Sequence, residues 1–145
     1  MVFVILSVFG VGFAYHTFQQ NRPDRIWLPI QTNPEMSLAQ RKELAAMLKE
    51  KLGDPALLAR VCKDSDYAAT MGLPSVEEGV KDLQRRLFAE VGTAETTKGR
   101  VPSINVGFVC KVKESKAKKM EKVTNRLMVD IRLILGAPGS KEDPF

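Results

Sequence analysis

The first eighteen residues, MVFVILSVFGVGFAYHTF, contain no Asp, Glu, Lys or Arg. As a helix rising about 1.5 Å per residue they span roughly 27 Å, close to the roughly 30 Å hydrocarbon core of a bilayer. Leu, Ile, Val and Phe dominate the run, and a helix satisfies its own backbone hydrogen bonds in lipid. No polar face interrupts it, which argues against a core helix of an ordinary globular domain. A cleaved signal peptide needs a basic stretch before the apolar run and a small-x-small site. Here the basic residues are missing and Gly12-Phe13-Ala14 is a weak match. The sequence therefore predicts a transmembrane anchor over 1–18, with Tyr15 and His16 at the interface. A linker over 19–25 follows, in which Asn21, Arg22, Pro23 and Asp24 end the apolar run. Arg22 and Arg25 would keep that side cytoplasmic by the positive-inside rule.

The rest of the 145 residues suits one domain with a core of its own. Ile26 to Ile30 reads as a short strand, with Pro29 confining it to an edge or an end. Ser37-Leu38-Ala39-Gln40 has the capping-box pattern and opens a helix to Leu52, closed by Gly53. Asp54-Pro55 starts a second helix, whose apolar stripe is Leu57, Leu58, Val61 and Cys62. Gly72 breaks the chain, and Ser75 caps a third helix burying Val76, Val80, Leu83 and Leu87. Strands are expected over 88–92 and 102–109, joined by the polar stretch from Thr93 to Arg100. Ile104, Val106 and Phe108 alternate with Asn105 and Gly107. From Glu114 to Leu135, Met120, Val123, Leu127, Ile131 and Ile134 recur every three or four residues on one helical face. That face is expected to pack on the sheet carrying Ile104, Val106 and Phe108. The predicted fold is α+β: an N-terminal transmembrane helix, then a small domain of about three strands and four helices over 26–136. Residues 137–145 read as a flexible tail.

Charge is unevenly spread. Between Lys98 and Arg132 lie ten cations and three acids, a local +7, and with +5 overall the remainder carries −2. Lys118, Lys119, Lys122 and Arg126 fall opposite the apolar face of the last helix. They are a candidate surface for an anionic partner, or simply a solvated helix face. No Phe, Tyr or Trp lies between Val109 and Pro144, so the stacking residues of a single-strand binder are missing and no nucleic-acid partner is expected. The signatures of nucleotide-binding loops, nucleophile elbows and zinc proteases do not occur. One histidine builds no metal site. Glu77 and Glu78 read as favourable charge on a helix N-terminus. Trp27 reads as a strand or interface anchor, and Cys62 and Cys110 as small core residues. The chain is thus expected to be non-enzymatic, without cofactor or metal.

The order of elements resembles the N-terminal part of the polysaccharide chain-length determinant family, the polysaccharide co-polymerases of bacterial envelopes. An N-terminal span leads directly into Arg25-Ile26-Trp27-Leu28-Pro29-Ile30, as in that family. Asp54 to Val61 with Gly72-Leu73, the helix from Ser75 to Leu87, and Ile104 to Phe108 are similar to its successive elements. Lys116 to Leu127 is similar to the start of its alanine-rich helix. The resemblance implies a component of envelope polysaccharide biosynthesis or export, such as that of lipopolysaccharide. It implies a single-pass protein of the inner membrane with an extracytoplasmic domain. It also implies a homo-oligomer working beside a polysaccharide polymerase or export proteins. The residues alone leave open a secreted or anchored small α+β binding domain unrelated to polysaccharide.

Overall fold

The alternation from Ile104 to Phe108 builds the centre of a three-stranded sheet. The computed structural model describes residues 16–136. Strands β1 (Pro23–Gln31), β2 (Leu87–Thr96) and β3 (Gly99–Lys111) run in the order β1-β3-β2, each pair antiparallel. Helices α1 (Leu38–Leu52), α2 (Pro55–Asp64), α3 (Tyr67–Met71) and α4 (Val76–Arg86) carry the chain from β1 to β2. After the β2–β3 hairpin come α5 (Val112–Lys116) and α6 (Glu121–Leu135).

The helix starts follow their capping chemistry. Gln40 N–H donates to Ser37 Oγ at 3.2 Å and Ser37 N–H to Gln40 Oε1 at 2.8 Å, so the capping box closes both ways. Asp54 accepts from the N–H groups of Ala56 and Leu57 at 2.8 and 3.0 Å, with Pro55 in the first turn. Gly72 ends α3 at φ 69° and Gly136 ends α6 at φ 60°, where a side chain would be strained. Gly79, inside α4, has another reason to lack one. A Cβ there would meet Cys62 Sγ on α2, so the glycine sets how closely those helices approach.

The helices cover one face of the sheet. Ile104, Val106 and Phe108 are wholly buried there and join Leu48, Leu58, Leu83 and Leu127 in one apolar cluster. Met120, Val123 and Ile131 enter the same cluster, as their helical spacing predicts. The strand closest to α6 is β1, however, and its other neighbours are α1 and α2; α1 lies over β2. The expected packing of this helix on the sheet that carries Ile104, Val106 and Phe108 therefore stands, with β1 as the strand it meets.

The fold class read from the sequence also needs correction. No helix among the described residues is long and apolar enough to cross a membrane. The predicted span over 1–18 lies outside the described residues except for residues 16–18. These lie in the helical residues 16–21, which run on into Gln19, Gln20 and Asn21 before Pro23 opens β1. Three consecutive amide side chains favour water over hydrocarbon.

The domain also has more helices than the four expected. α3 is a single extra turn, entered through Asp66 at φ 55°. The helix expected to run unbroken from Glu114 to Leu135 is two helices. Lys118 N–H donates to Ser115 O and Lys119 N–H to Glu114 O, both at 3.0 Å, with Lys118 left-handed at φ 57°. This is a Schellman termination built on a lysine. In the hairpin, pairing runs on to Thr96 and Gly99, so only Thr97 and Lys98 connect the strands.

Candidate functional surface

Period-two alternation sends every second strand residue to the face that no helix among the described residues covers. On β1 these are Arg25, Trp27 and Pro29, all exposed. Opposite them in register stand Val109, Gly107 and Asn105 of β3. Phe88 and Glu90 of β2 pair with Gly107 and Asn105. Trp27, Gly107 and Phe88 therefore form one row across the sheet.

Gly107 determines how this row packs. A Cβ at that position would collide with Ile26 O, and would lie 2.8 Å from Trp27 Cβ. The missing side chain lets β1 approach β3 closely beneath the indole. Trp27 remains 42% exposed, whereas Phe88 is 7% exposed. The Arg25 guanidinium lies 4.7 Å from the Phe88 ring centre and covers it, a cation–π arrangement. The same group donates to Glu90 Oε2 at 2.9 Å. Asn105 finds its space because Gly92 presents no side chain against it. The result is a surface holding an indole, a guanidinium, a carboxylate and an amide. Such a surface can stack an apolar ring face and hydrogen-bond polar groups at its rim.

A second cluster joins α4 to the end of β3. Tyr67 donates its hydroxyl to Asp82 Oδ2 at 2.6 Å, and Arg86 Nε donates to the same oxygen at 2.8 Å. Arg85 binds Asp82 Oδ1 at 2.6 Å, and Arg86 Nη1 reaches Glu114 Oε2 at 2.8 Å. Burial and the Asp82 bond push the Tyr67 hydroxyl far above its ordinary range. Burial works to raise the Asp82 carboxyl, but the Tyr67 hydrogen bond and the two guanidiniums outweigh it and hold the pKa low. Every charged atom named here faces a partner inside the protein, which makes the cluster a structural clasp. Among the described residues no three His, Cys, Asp or Glu side chains come together as a metal site. Cys62 and Cys110 are free, buried thiols, and burial raises the pKa of each.

The four basic residues singled out in the sequence do not share one helical stripe. Lys118 and Lys119 lie in the turn between α5 and α6, and Lys122 and Arg126 on α6 itself. Lys118 Nζ stands 4.0 Å from Glu121. Arg126 is turned into the protein, with Nε 2.7 Å from Asp64 and Nη1 3.3 Å from the buried Asp130. Lys119 and Lys122 are exposed.

The sequence reading found Trp27 but not its companions Arg25, Phe88 and Glu90. The signal was parity: Phe88 and Glu90 alternate with Leu87, Ala89 and Val91 once β2 is started at Leu87. Comparison with protein-family models, curated proteins and solved structures gave no match to this chain.

Proposed function

We propose that this protein is a non-enzymatic component of envelope polysaccharide biosynthesis or export, and that the bare face of its sheet binds the saccharide. The observation that carries the reading is Trp27, held 42% exposed on the sheet face beside the Arg25–Glu90 pair and Asn105. The C–H groups on one side of a sugar ring are apolar and weakly positive, which matches the negative face of an indole. Its hydroxyls both donate and accept, which suits a rim containing a guanidinium, a carboxylate and an amide. The resemblance of the element order to chain-length determinants supports the same class of ligand.

Trp27 is the single tryptophan of the chain, so its fluorescence reports on this face alone. Titration with surface polysaccharide from cells that make the protein should shift and saturate the emission. Calorimetry on Trp27→Ala should show binding weakened roughly tenfold or more, as for a central aromatic anchor. An unchanged emission, or full binding by Trp27→Ala, excludes the saccharide reading. A response to a protein partner alone would identify a binding domain unrelated to polysaccharide.

A further inference from the structure

The end of the domain at which β1 begins carries a second, differently built surface. Residues 16–22 lie against α5 and enclose a groove of about 550 Å³ lined by His16, Gln19, Gln20, Arg22, Lys113 and Lys116, among others. Among the described residues no carboxylate lines it. The two acids nearest in the chain hold their hydrogen bonds outside the groove, although the Asp24 carboxylate also feels the charge of Lys116. Asp24 accepts from Ser115 Oγ and from Arg25 N–H, and Glu114 accepts from Arg86 and from the N–H of Lys111. Arg22, Lys113 and Lys116 are all exposed. The walls are joined by the Val112 N–H donating to Arg22 O at 3.0 Å, and the Arg22 guanidinium is steadied by Gln19 Oε1 at 3.1 Å. The sequence leading into this groove has no charged residue before Arg22.

We infer that this groove is a membrane-docking surface that receives the phosphates of anionic phospholipid headgroups. Charge complementarity selects the ligand: three exposed cations surround a hollow whose described lining includes no acid. Its place in the chain selects the source, because the sequence immediately before residue 16 is uncharged and rich in Phe and Val. Basic side chains at an anionic bilayer surface each contribute about fivefold in affinity. Apolar side chains next to them strengthen adsorption without crossing the bilayer. The inference concerns a surface, requires no spanning helix, and does not depend on the saccharide reading.

Sedimentation of the full chain with vesicles tests it. Vesicles of phosphatidylcholine mixed with phosphatidylglycerol should bind roughly tenfold or more tightly than phosphatidylcholine alone, and the preference should fade at high salt. Lys113→Glu with Lys116→Glu should abolish the preference while leaving adsorption to phosphatidylcholine in place. Arg22→Glu, on the opposite wall, should reduce it independently. Lys42→Glu with Lys98→Glu changes the net charge equally at other exposed sites and should keep it. Equal binding to both vesicle types overturns the inference, and so does equal loss in the two double variants. Displacement from vesicles by inorganic phosphate at constant ionic strength would mark a free-phosphate site and overturn it as well.

Discussion

On β3, Ile104, Val106 and Phe108 point into the helix layer and are fully buried. Asn105, Gly107 and Val109 alternate with them and lie on the bare side. The helix-covered face is made of aliphatic side chains and one Phe, and its requirements are volume and shape. The bare face combines a half-exposed Trp, a charged pair and two glycines that make room for neighbours. Folding alone accounts for the first set. It does not require Trp27, Arg25 or Glu90 to stand where they do, and the recognition proposed for this face rests on them.

The contrast is sharpest at two successive residues. Phe108→Ala would empty a site with no solvent exposure and should lower stability by roughly 3–5 kcal/mol. Gly107→Ala, one residue away on the other face, adds a single methyl against Ile26 O and Trp27. The obstacle is mostly backbone, so relief must come from β1 moving. A loss of about 1–3 kcal/mol is expected, together with a change in Trp27 fluorescence that Phe108→Ala does not produce in proportion to its larger loss. Urea denaturation followed by both circular dichroism and fluorescence separates the two. A Gly107→Ala protein of unchanged stability and emission would mean that β1 does not depend on this close approach.

The clasp at the end of the covered layer adds a pH test. Asp82→Asn replaces a carboxylate that accepts from Tyr67, Arg85 and Arg86, and should cost about 2 kcal/mol at neutral pH. The native pKa of Asp82 is lowered from its ordinary 3.8. Its contribution is therefore complete above that value and lost as the pH falls through the lower native pKa. The gap between wild type and Asp82→Asn should be constant from neutral pH to about pH 5 and shrink below about pH 4. A gap unchanged under acid conditions would show that the charge of Asp82 is not what holds the clasp.

Sequence pattern found the covered face and missed most of the bare one for a physical reason. Burial imposes a period on apolar residues, and Met120, Val123, Leu127 and Ile131 or Ile104, Val106 and Phe108 display it openly. Caps such as Ser37 and Asp54 act through bonds to nearby backbone and are equally local. The Arg25–Glu90 pair and the clasp from Tyr67 through Arg86 to Glu114 join residues far apart in the chain, so they appear only once the topology is fixed. The break before α6 was hidden because a lysine, not a glycine, takes the left-handed position. Hydropathy drew attention to the N-terminal run, but the described continuation of that run consists of amides. The basic groove combines residues 16–22 with α5, two segments whose charges looked unrelated in sequence.

The smallest expected effect is the one that most directly separates recognition from folding. Glu90→Gln keeps the size of the side chain and removes its charge. Both partners of the pair are half-exposed, at 51% and 54%, so water and salt already screen their attraction. The ordering of two long side chains offsets part of what remains. Stability should therefore change by less than about 0.5 kcal/mol, and the change should vanish in roughly 1 M salt, where charges are screened within about 3 Å. Saccharide binding should respond more strongly, because a neutral amide can donate where the carboxylate only accepts, and the Arg25 guanidinium loses its tether. Denaturation and calorimetry on the same variant compare the two effects. If Glu90→Gln destabilises the protein by more than about 1 kcal/mol at high salt, the pair belongs to the fold, and the bare face differs from the covered one in solvent exposure alone.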